Sequence, residues 1–391
     1  GNIKSTGNKP RPDLSSNNLV HVSAAPRVEW GFAGYTNLII YWQFASGQSN
    51  PTFRLITPRK TFVLRRKPHG VLLKSAHAVE REFRVQKALA DSDVPVAKMH
   101  ILCEDSSVIG SAFYVMDEVD GRNFKTPYMA DLTPEARGQI IGETNRVLAA
   151  IHDVDLVATG LTDYGPEGNY YRRQVDRWSK QYRASETEHI AAMDALIDWL
   201  DSNMPKEDGQ RSLVHGDYRI DNMLFAKQGP ACLAMLDWEL STLGHPYADL
   251  AAVIMQWAMP QGDEGRGLAG VDRHAHGLWS DTQFIDAYCA RRSLAGIENF
   301  GFYLAFCNFR MAGILQGVKK RALEGNASNP EQALKLGDYV VTFAESGLAA
   351  TLNKHEDPDI PAKQILRPAI RGFLLWPLPR GEHRNRQNCS A

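Results

Sequence analysis

The sequence predicts an α+β fold, in which a strand-rich first third is followed by a mainly helical remainder. Short apolar runs bounded by turn-forming residues are typical of strands, and they recur up to about residue 116 around a single strongly helical segment. From Thr133 onward, apolar residues recur mostly at helical spacing. At 391 residues, the chain is long enough to bury a large core and to form two lobes.

The composition is that of an ordinary globular protein and argues against several classes of partner. Charged residues make up 23% of the chain and the net charge is −1, so neither a polyanion nor a polycation is indicated as a partner. No stripe of interleaved basic and aromatic residues predicts nucleic-acid binding, and no apolar run approaches the length of a membrane span. The five cysteines have no metal-type spacing, which favours a reduced, cytoplasmic compartment.

The first strands of the chain flank a turn-rich segment at residues 44–52. Residues 38–41 are apolar and open a first strand, and residues 61–68 form another that ends in three positive charges. Because strand side chains alternate with a period of two, Val63 and Arg65 share one face of that strand. The backbone amides of a turn such as 44–52 are able to cap phosphate oxygens, although in isolation an ordinary hairpin turn explains it as well.

One strong helix and two further strands complete the first third. Residues 76–90 carry apolar side chains at helical spacing, and they place Glu80 and Glu82 on different faces of the helix. Residues 96–103 and 111–116 form the next two strands.

The remainder of the chain is predicted to be helices joined by loops. Thr133 and Pro134 mark a helix start, because proline is favoured at the first helical position. The predicted helices include residues 133–152, 174–183, 189–202, 299–323 and 331–348. His152, at the end of the first of these, is expected to be a packed and hydrogen-bonded histidine.

The stretch 212–245 presents three polar side chains at the edges of strand-like runs. The apolar runs lie at 213–214, 223–225 and 231–236. They are short and flanked by Gly, Asp or Asn, which favours strand, loop and strand over helix. Asp217 lies in the loop after the first run, Asn222 follows five residues later, and Asp237 ends the third run.

These three groups are the parts that phosphoryl transfer requires. Asp217 is placed to accept or orient the proton of an attacking hydroxyl. Magnesium prefers hard oxygen ligands and keeps some waters, so the Asp237 carboxylate and the Asn222 amide suffice to hold it. His215 is expected to hydrogen-bond the backbone and hold the loop. For the triplet His215-Gly216-Asp217 taken alone, a plain turn remains an open alternative.

The motif resembles that of the aminoglycoside phosphotransferase and choline kinase superfamily. The resemblance rests on His215-Gly216-Asp217, on Asn222 and on Leu236-Asp237-Trp238-Glu239. Together with Asp249-Leu250-Ala251, the sequence closely resembles the kinase-like domain of acyl-CoA dehydrogenase family members 10 and 11 and its free-standing relatives, over residues 44–348. Asp249 is expected to anchor the catalytic loop by hydrogen bonds.

The resemblance implies a protein-kinase-like two-lobed fold, with a small antiparallel-sheet N-lobe and a mainly helical C-lobe. The N-lobe is expected over residues 31–120 and the C-lobe over residues 121–350. A flexible arm at 1–30 and an extension at 351–391 are expected to flank them.

The resemblance also implies how the nucleotide is bound, with ATP and Mg²⁺ as cofactors. The expected nucleotide-binding residues are Arg65, Glu82, Gly47, Ser49, Asn50, Glu118 and Val119. Arg65 takes the place of the usual kinase lysine as the phosphate contact, with Lys67 as the alternative, and Glu82 is the expected ion-pair partner of Arg65.

The acceptor is expected to be the hydroxyl of a small molecule, and three interpretations stay open. In the resembling subfamily, acceptors include hydroxyacyl thioesters of coenzyme A. An aminoglycoside antibiotic is the second interpretation, and an inactive or nucleotide-binding regulatory module is the third, which the intact catalytic residues argue against. Arg310, Glu239 and Tyr182 are candidate acceptor contacts, and the Gly-rich segment 261–280 is expected to be a mobile loop over the acceptor. A homodimer stays open.

Overall fold

A computed structural model of the chain describes residues 19–20, 40–44, 50–68, 78–327 and 329–352. The strands are, in chain order, β1 (Leu19–Val20), β2 (Ile40–Phe44), β3 (Thr52–Ile56), β4 (Thr61–Arg66), β5 (Met99–Cys103), β6 (Phe113–Asp117), β7 (Ser212–Val214), β8 (Met223–Phe225), β9 (Cys232–Met235) and β10 (Thr242–Gly244). The helices are α1 (Val79–Ala88), α2 (Pro134–His152), α3 (Tyr170–Ser185), α4 (Ala191–Ser202), α5 (Tyr247–Trp257), α6 (Gly262–Gly265), α7 (Asp281–Arg291), α8 (Phe300–Leu323), α9 (Pro330–Gly337) and α10 (Tyr339–Thr351). Two 3-10 turns lie at Ile220–Asn222 and Trp238–Leu240.

The chain packs as two units, and the first contains the described residues up to Asn123 together with Val157–Leu161 and Asn222–Ser241. Its largest element is a six-stranded antiparallel sheet with the order β1-β2-β3-β4-β6-β5. The apolar stripe of α1 packs on this sheet, with Val79 and Phe83 against Tyr114 of β6. The prediction of a small antiparallel sheet with one helix is therefore confirmed.

A two-stranded hairpin of β8 and β9 completes the first unit and carries two of the predicted site residues. The strands are antiparallel, with Met223 opposite Met235. Just beyond this pair, the backbone amide of Leu236 donates a 2.7 Å hydrogen bond to the carbonyl of Asn222. Asn222 and Asp237 are consequently fixed at the same end of one hairpin.

The second unit is mainly helical, and α8 is its central element. This helix packs against α3, α4, α5, α9 and α10. Thr133 caps α2 by accepting a hydrogen bond from the amide of Ala136, and Pro134 occupies the first helical position. The short strands β7 and β10 pair antiparallel, and residues 215–222 follow β7 as a loop.

Two features of the helical unit differ from the prediction. The helix expected over 331–348 is two helices, α9 and α10, which meet at Asp338. Gly337 precedes this break, where a Cβ would lie 2.7 Å from the side chain of Lys319, so only a glycine fits the close approach. Helix α7 was not predicted, although Ser280 and Gln283 form a capping box at its start.

No helix in the part of the chain that the structure describes is long and apolar enough to cross a membrane. The longest, α8, carries Arg310 in its middle and Lys320 and Arg321 in its last turn.

Candidate active site

The loop predicted to be catalytic, residues 215–222, follows β7 and is held by one buried carboxylate. Asp249, which is 2% exposed, accepts hydrogen bonds from the backbone amides of His215 at 2.6 Å and Gly216 at 2.9 Å. Burial alone would raise the pKa of Asp249, but its interactions with His152, His215 and the Gly216 amide lower that pKa below its ordinary value. A charged carboxylate therefore anchors the loop, as predicted.

The residues inside the loop give it its shape. Gly216 has a φ of +84°, a left-handed conformation that a residue with a Cβ rarely adopts. The buried His215 accepts a 3.3 Å hydrogen bond at Nδ1 from the backbone amide of Asp217. His215 thus holds the backbone, while the Asp217 side chain stays 35% exposed.

His152 lies next to Asp249 and is buried and hydrogen-bonded, as predicted. Its Nδ1 lies 2.7 Å from the Tyr288 hydroxyl, and its Nε2 lies 3.4 Å from Asp249. Burial lowers the pKa of His152, with Asp249 opposing the shift.

Of the two acceptor candidates in this unit, one supports the catalytic loop and one is buried. Arg310 donates a 3.3 Å hydrogen bond from Nη2 to the carbonyl of Gly216, and its guanidinium lies 5.8 Å from the ring centroid of Trp178. Tyr182 has no exposed surface, which puts its side chain out of reach of an acceptor.

In the first unit, Arg65 lies among three carboxylates. Its Nη2 donates a 2.7 Å hydrogen bond to Asp237, its Nε lies 3.4 Å from Glu82, and its Nη2 lies 3.6 Å from Glu239. Burial alone would lower the pKa of Arg65, but Glu82 and Asp237 raise it above its ordinary value. The ion pair expected between Arg65 and Glu82 is present, and Glu239, expected at the acceptor, is a neighbour of the same cation.

Glu82 is fully buried and has two further partners. Asn50 donates to Oε1 at 2.8 Å, and the Tyr114 hydroxyl donates to Oε2 at 3.0 Å. Burial raises the pKa of Glu82, while Arg65 and the Tyr114 hydroxyl oppose this shift. The Asn50 side chain, predicted to meet the nucleotide, therefore positions Glu82.

The other residues predicted to bind the nucleotide are found in ion pairs, half-buried, or outside the described residues. Lys67, the alternative phosphate contact, pairs with Glu80 at 2.8 Å, so Glu80 and Glu82 do serve different faces of α1. The Glu118 side chain pairs with Arg54 at 2.8 Å, and Val119 beside it is half-buried. Gly47 and Ser49 lie outside the described residues.

Asn222 and Asp237 lie at the same end of the β8–β9 hairpin and carry the types of donor that magnesium takes. One amide oxygen and one carboxylate are the hard ligands that Mg²⁺ takes together with phosphate oxygens and water. Asp237 has a left-handed backbone with a φ of +65°, and its side chain is 34% exposed. Among the described residues, no group of three His, Cys, Asp or Glu side chains forms a metal cage, so this set depends on oxygens from a ligand.

Sequence reasoning missed a group of charged residues beside Asp217. Arg219 places its Nε 3.6 Å from Asp217 and donates from Nη2 to Asp221 at 2.7 Å, and Arg266 also donates to Asp221 at 2.7 Å. The position of Arg219, two residues after Asp217, was a usable signal. No local pattern marks Arg266, because its partner is 45 residues away.

Comparison with protein families and known proteins gives consistent matches. The model of a family described as the phosphotransferase enzyme family matches residues 42–285. Acyl-CoA dehydrogenase family member 10 of Mus musculus is 45% identical over 341 residues, which is 86% of this chain and 31% of that protein. Acyl-CoA dehydrogenase family member 11 of Rattus norvegicus is 41% identical over 312 residues, which is 78% of this chain and 39% of that protein. The chain therefore spans well under half the length of these relatives.

Solved structures match over most of the chain. A Ralstonia eutropha protein, provisionally named an aminoglycoside phosphotransferase, is 48% identical with a TM-score of 0.76, over 82% of this chain and 94% of that one. Aminoglycoside phosphotransferase APH(4)-Ia, solved with AMP-PNP and hygromycin B, has a TM-score of 0.54 at 15% identity, over 81% of this chain and 94% of that one. The second likeness concerns the fold alone.

Proposed function

The chain belongs to the phosphotransferase enzyme family, and on that premise we propose that it is an ATP-dependent small-molecule kinase. Its fold is the kinase-like fold of the aminoglycoside phosphotransferases, with a small antiparallel sheet and a mainly helical remainder. The proposed reaction transfers the γ-phosphoryl group of ATP to an acceptor hydroxyl.

The observation that carries the proposal is the set of hydrogen bonds that holds the backbone around Asp217. Asp249 binds two consecutive loop amides and His215 binds a third, so Asp217 is presented on a rigid backbone. In the proposed step, the oxygen of the acceptor hydroxyl bonds to the γ-phosphorus, and Asp217 accepts the proton of that hydroxyl. The bond from that phosphorus to the bridging oxygen breaks, and ADP leaves with the electron pair.

The first unit supplies the groups for the triphosphate. Arg65 offers a cation held in place by Glu82, and a cation so held is worth more to a phosphate than a freely moving one. Asn222 and Asp237 would hold Mg²⁺, which when bound neutralises phosphate charge. These roles are proposals that rest on the chemistry of the side chains and on their spacing.

For the acceptor, we propose a hydroxyl group on an acyl-CoA. Two relatives that are 45% and 41% identical to this chain are named acyl-CoA dehydrogenase family members, and a chain that modifies an acyl-CoA suits that setting. An aminoglycoside is the competing acceptor, because the Ralstonia eutropha protein carries that provisional name. The net charge of −1 does not favour a polycation.

A screen of ATP consumption with hydroxyacyl-CoAs, aminoglycosides, choline and sugars tests the proposal. We expect turnover with a hydroxyacyl-CoA, and we expect Asp217→Asn to lower kcat by about 1,000-fold while ADP affinity is retained. The control Asp201→Asn removes a carboxylate that is 62% exposed and should leave kcat unchanged. Full activity of Asp217→Asn would reject Asp217 as the base, and no turnover with any acceptor would favour the regulatory module.

A further inference from the structure

Asp221 binds two arginines from different parts of the second unit on a single carboxylate oxygen. Arg219 Nη2 and Arg266 Nη1 each donate to Asp221 Oδ2 at 2.7 Å. The Asp221 side chain is only 12% exposed, so water screens these charge-assisted hydrogen bonds less than it screens surface ion pairs. Arg219 and Arg266 therefore both restrain the Asp221 carboxylate, so the loss of either arginine frees the binding partner of the other.

Arg219 connects this group to the proposed base. Its Nε lies 3.6 Å from Asp217 Oδ1, which is too long for a hydrogen bond but close enough for the two charges to attract, with some screening because the side chains are 33% and 35% exposed. A free arginine side chain samples many rotamers, so ordering it costs conformational entropy. Because Asp221 binds the Nη2 atom of Arg219, the Nε atom of the same guanidinium stays beside Asp217.

Arg266 is itself fixed by its backbone, although it lies in the segment predicted to be a mobile loop. Its amide donates to the carbonyl of Gly262 at 2.9 Å, and the next amide, that of Gly267, donates to Pro260 at 2.8 Å. The turn that follows α6 thus presents the Arg266 side chain from a hydrogen-bonded backbone.

We infer that Arg266 is a positioning residue for phosphoryl transfer, which acts by holding Asp221 and, through it, Arg219 beside Asp217. The inference rests on the proposed function, since it assigns Asp217 the role of base. Arg266 itself contacts neither the acceptor nor the nucleotide in this scheme. Its effect belongs to the geometry of the loop, so it should change kcat and spare nucleotide binding.

A set of variants assayed for turnover tests this inference. Arg266→Gln should lower kcat about tenfold with the KM for ATP within about twofold, and Arg266→Lys should recover most of the loss because it keeps one donor for Asp221. In an Arg219→Gln background, Arg266→Gln should cost less than about twofold more, since its effect passes through Arg219. Arg172→Gln is the control and should leave kcat unchanged. Arg172 is 41% exposed and binds Asp201, and it is thus matched to Arg266, which is 43% exposed and binds Asp221.

Hydrogen–deuterium exchange gives a readout that does not depend on turnover. Arg266→Gln should speed exchange in the peptides that cover residues 212–221, and Arg172→Gln should not. Additive losses of kcat in the double variant, or unchanged exchange in these peptides, would overturn the inference. If the wild-type chain phosphorylates no acceptor, the proposed function fails, and the exchange measurement still decides whether Arg266 positions the loop.

Discussion

The guanidinium of Arg65 donates a 2.7 Å hydrogen bond to the carboxylate of Asp237. The residue proposed to contact the phosphates therefore holds the residue proposed to bind the metal. This ion pair joins segments 172 residues apart in the chain, and Glu82 is a second partner of the same guanidinium. A change at either residue should disturb nucleotide binding and metal binding together.

The first prediction compares Arg65 with its neighbour Lys67. Arg65→Gln leaves Glu82 buried without its cation, so the free energy of unfolding should fall by about 3 kcal/mol. The same change removes the proposed phosphate contact, so kcat/KM for ATP should fall at least about 100-fold. Lys67→Gln removes a pair with Glu80 that is 27% and 37% exposed, which should cost about 0.5 kcal/mol and little activity. Urea denaturation and initial rates measure both effects, and equal losses in the two variants would contradict the assignment of Arg65.

The second prediction concerns Arg310, which was expected at the acceptor and is hydrogen-bonded to the catalytic loop. If its main role is to hold the carbonyl of Gly216, Arg310→Gln should lower kcat about tenfold and leave the KM for the acceptor nearly unchanged. Arg321→Gln, on an exposed turn of the same helix, is the control and should match the wild type. A rise in KM with constant kcat would instead identify Arg310 as an acceptor contact.

The third prediction is a pH dependence of stability that comes from His152. Burial lowers the pKa of His152 from 6.5, so below about pH 6.5 the unfolded chain binds a proton that the folded chain does not. Through His152 alone, the free energy of unfolding should therefore fall as the pH drops below about 6.5, a slope that the raised pKa of Glu82 opposes. Burial also lowers the pKa of His245, so His152→Gln should flatten this slope only in part. Identical slopes in the variant and the wild type would contradict the prediction.

The polar residues of the catalytic stretch were predictable because each one stands where a short strand begins or ends. The runs before Asp217 and Asp237 form β7 and β9, and Asn222 directly precedes β8. Local chemistry decides such positions: Gly216 is needed for its positive φ, and apolar residues flank the loop on both sides.

Contacts between distant segments were not predictable in the same way. Arg266 reaches Asp221 from a Gly-rich segment whose composition indicated only a loop. Within α8, Phe306 and Phe309 are fully buried, whereas Leu304 and Met311 are only half-buried. The helical spacing of apolar residues does not indicate this difference, because α8 packs against five other helices and has more than one buried face.

The grouping of one guanidinium with three carboxylates in the first unit has a further consequence. Arg65 lies within 3.6 Å of Glu82, Asp237 and Glu239, so a change of charge at one carboxylate acts on the other two through the same guanidinium. The carboxylate proposed to hold the metal is therefore already hydrogen-bonded to a cation, and a metal ion that binds Asp237 has to share it with Arg65. Chelating agents should consequently make this protein easier to unfold only when a nucleotide is present, because the donor set depends on oxygens from a ligand.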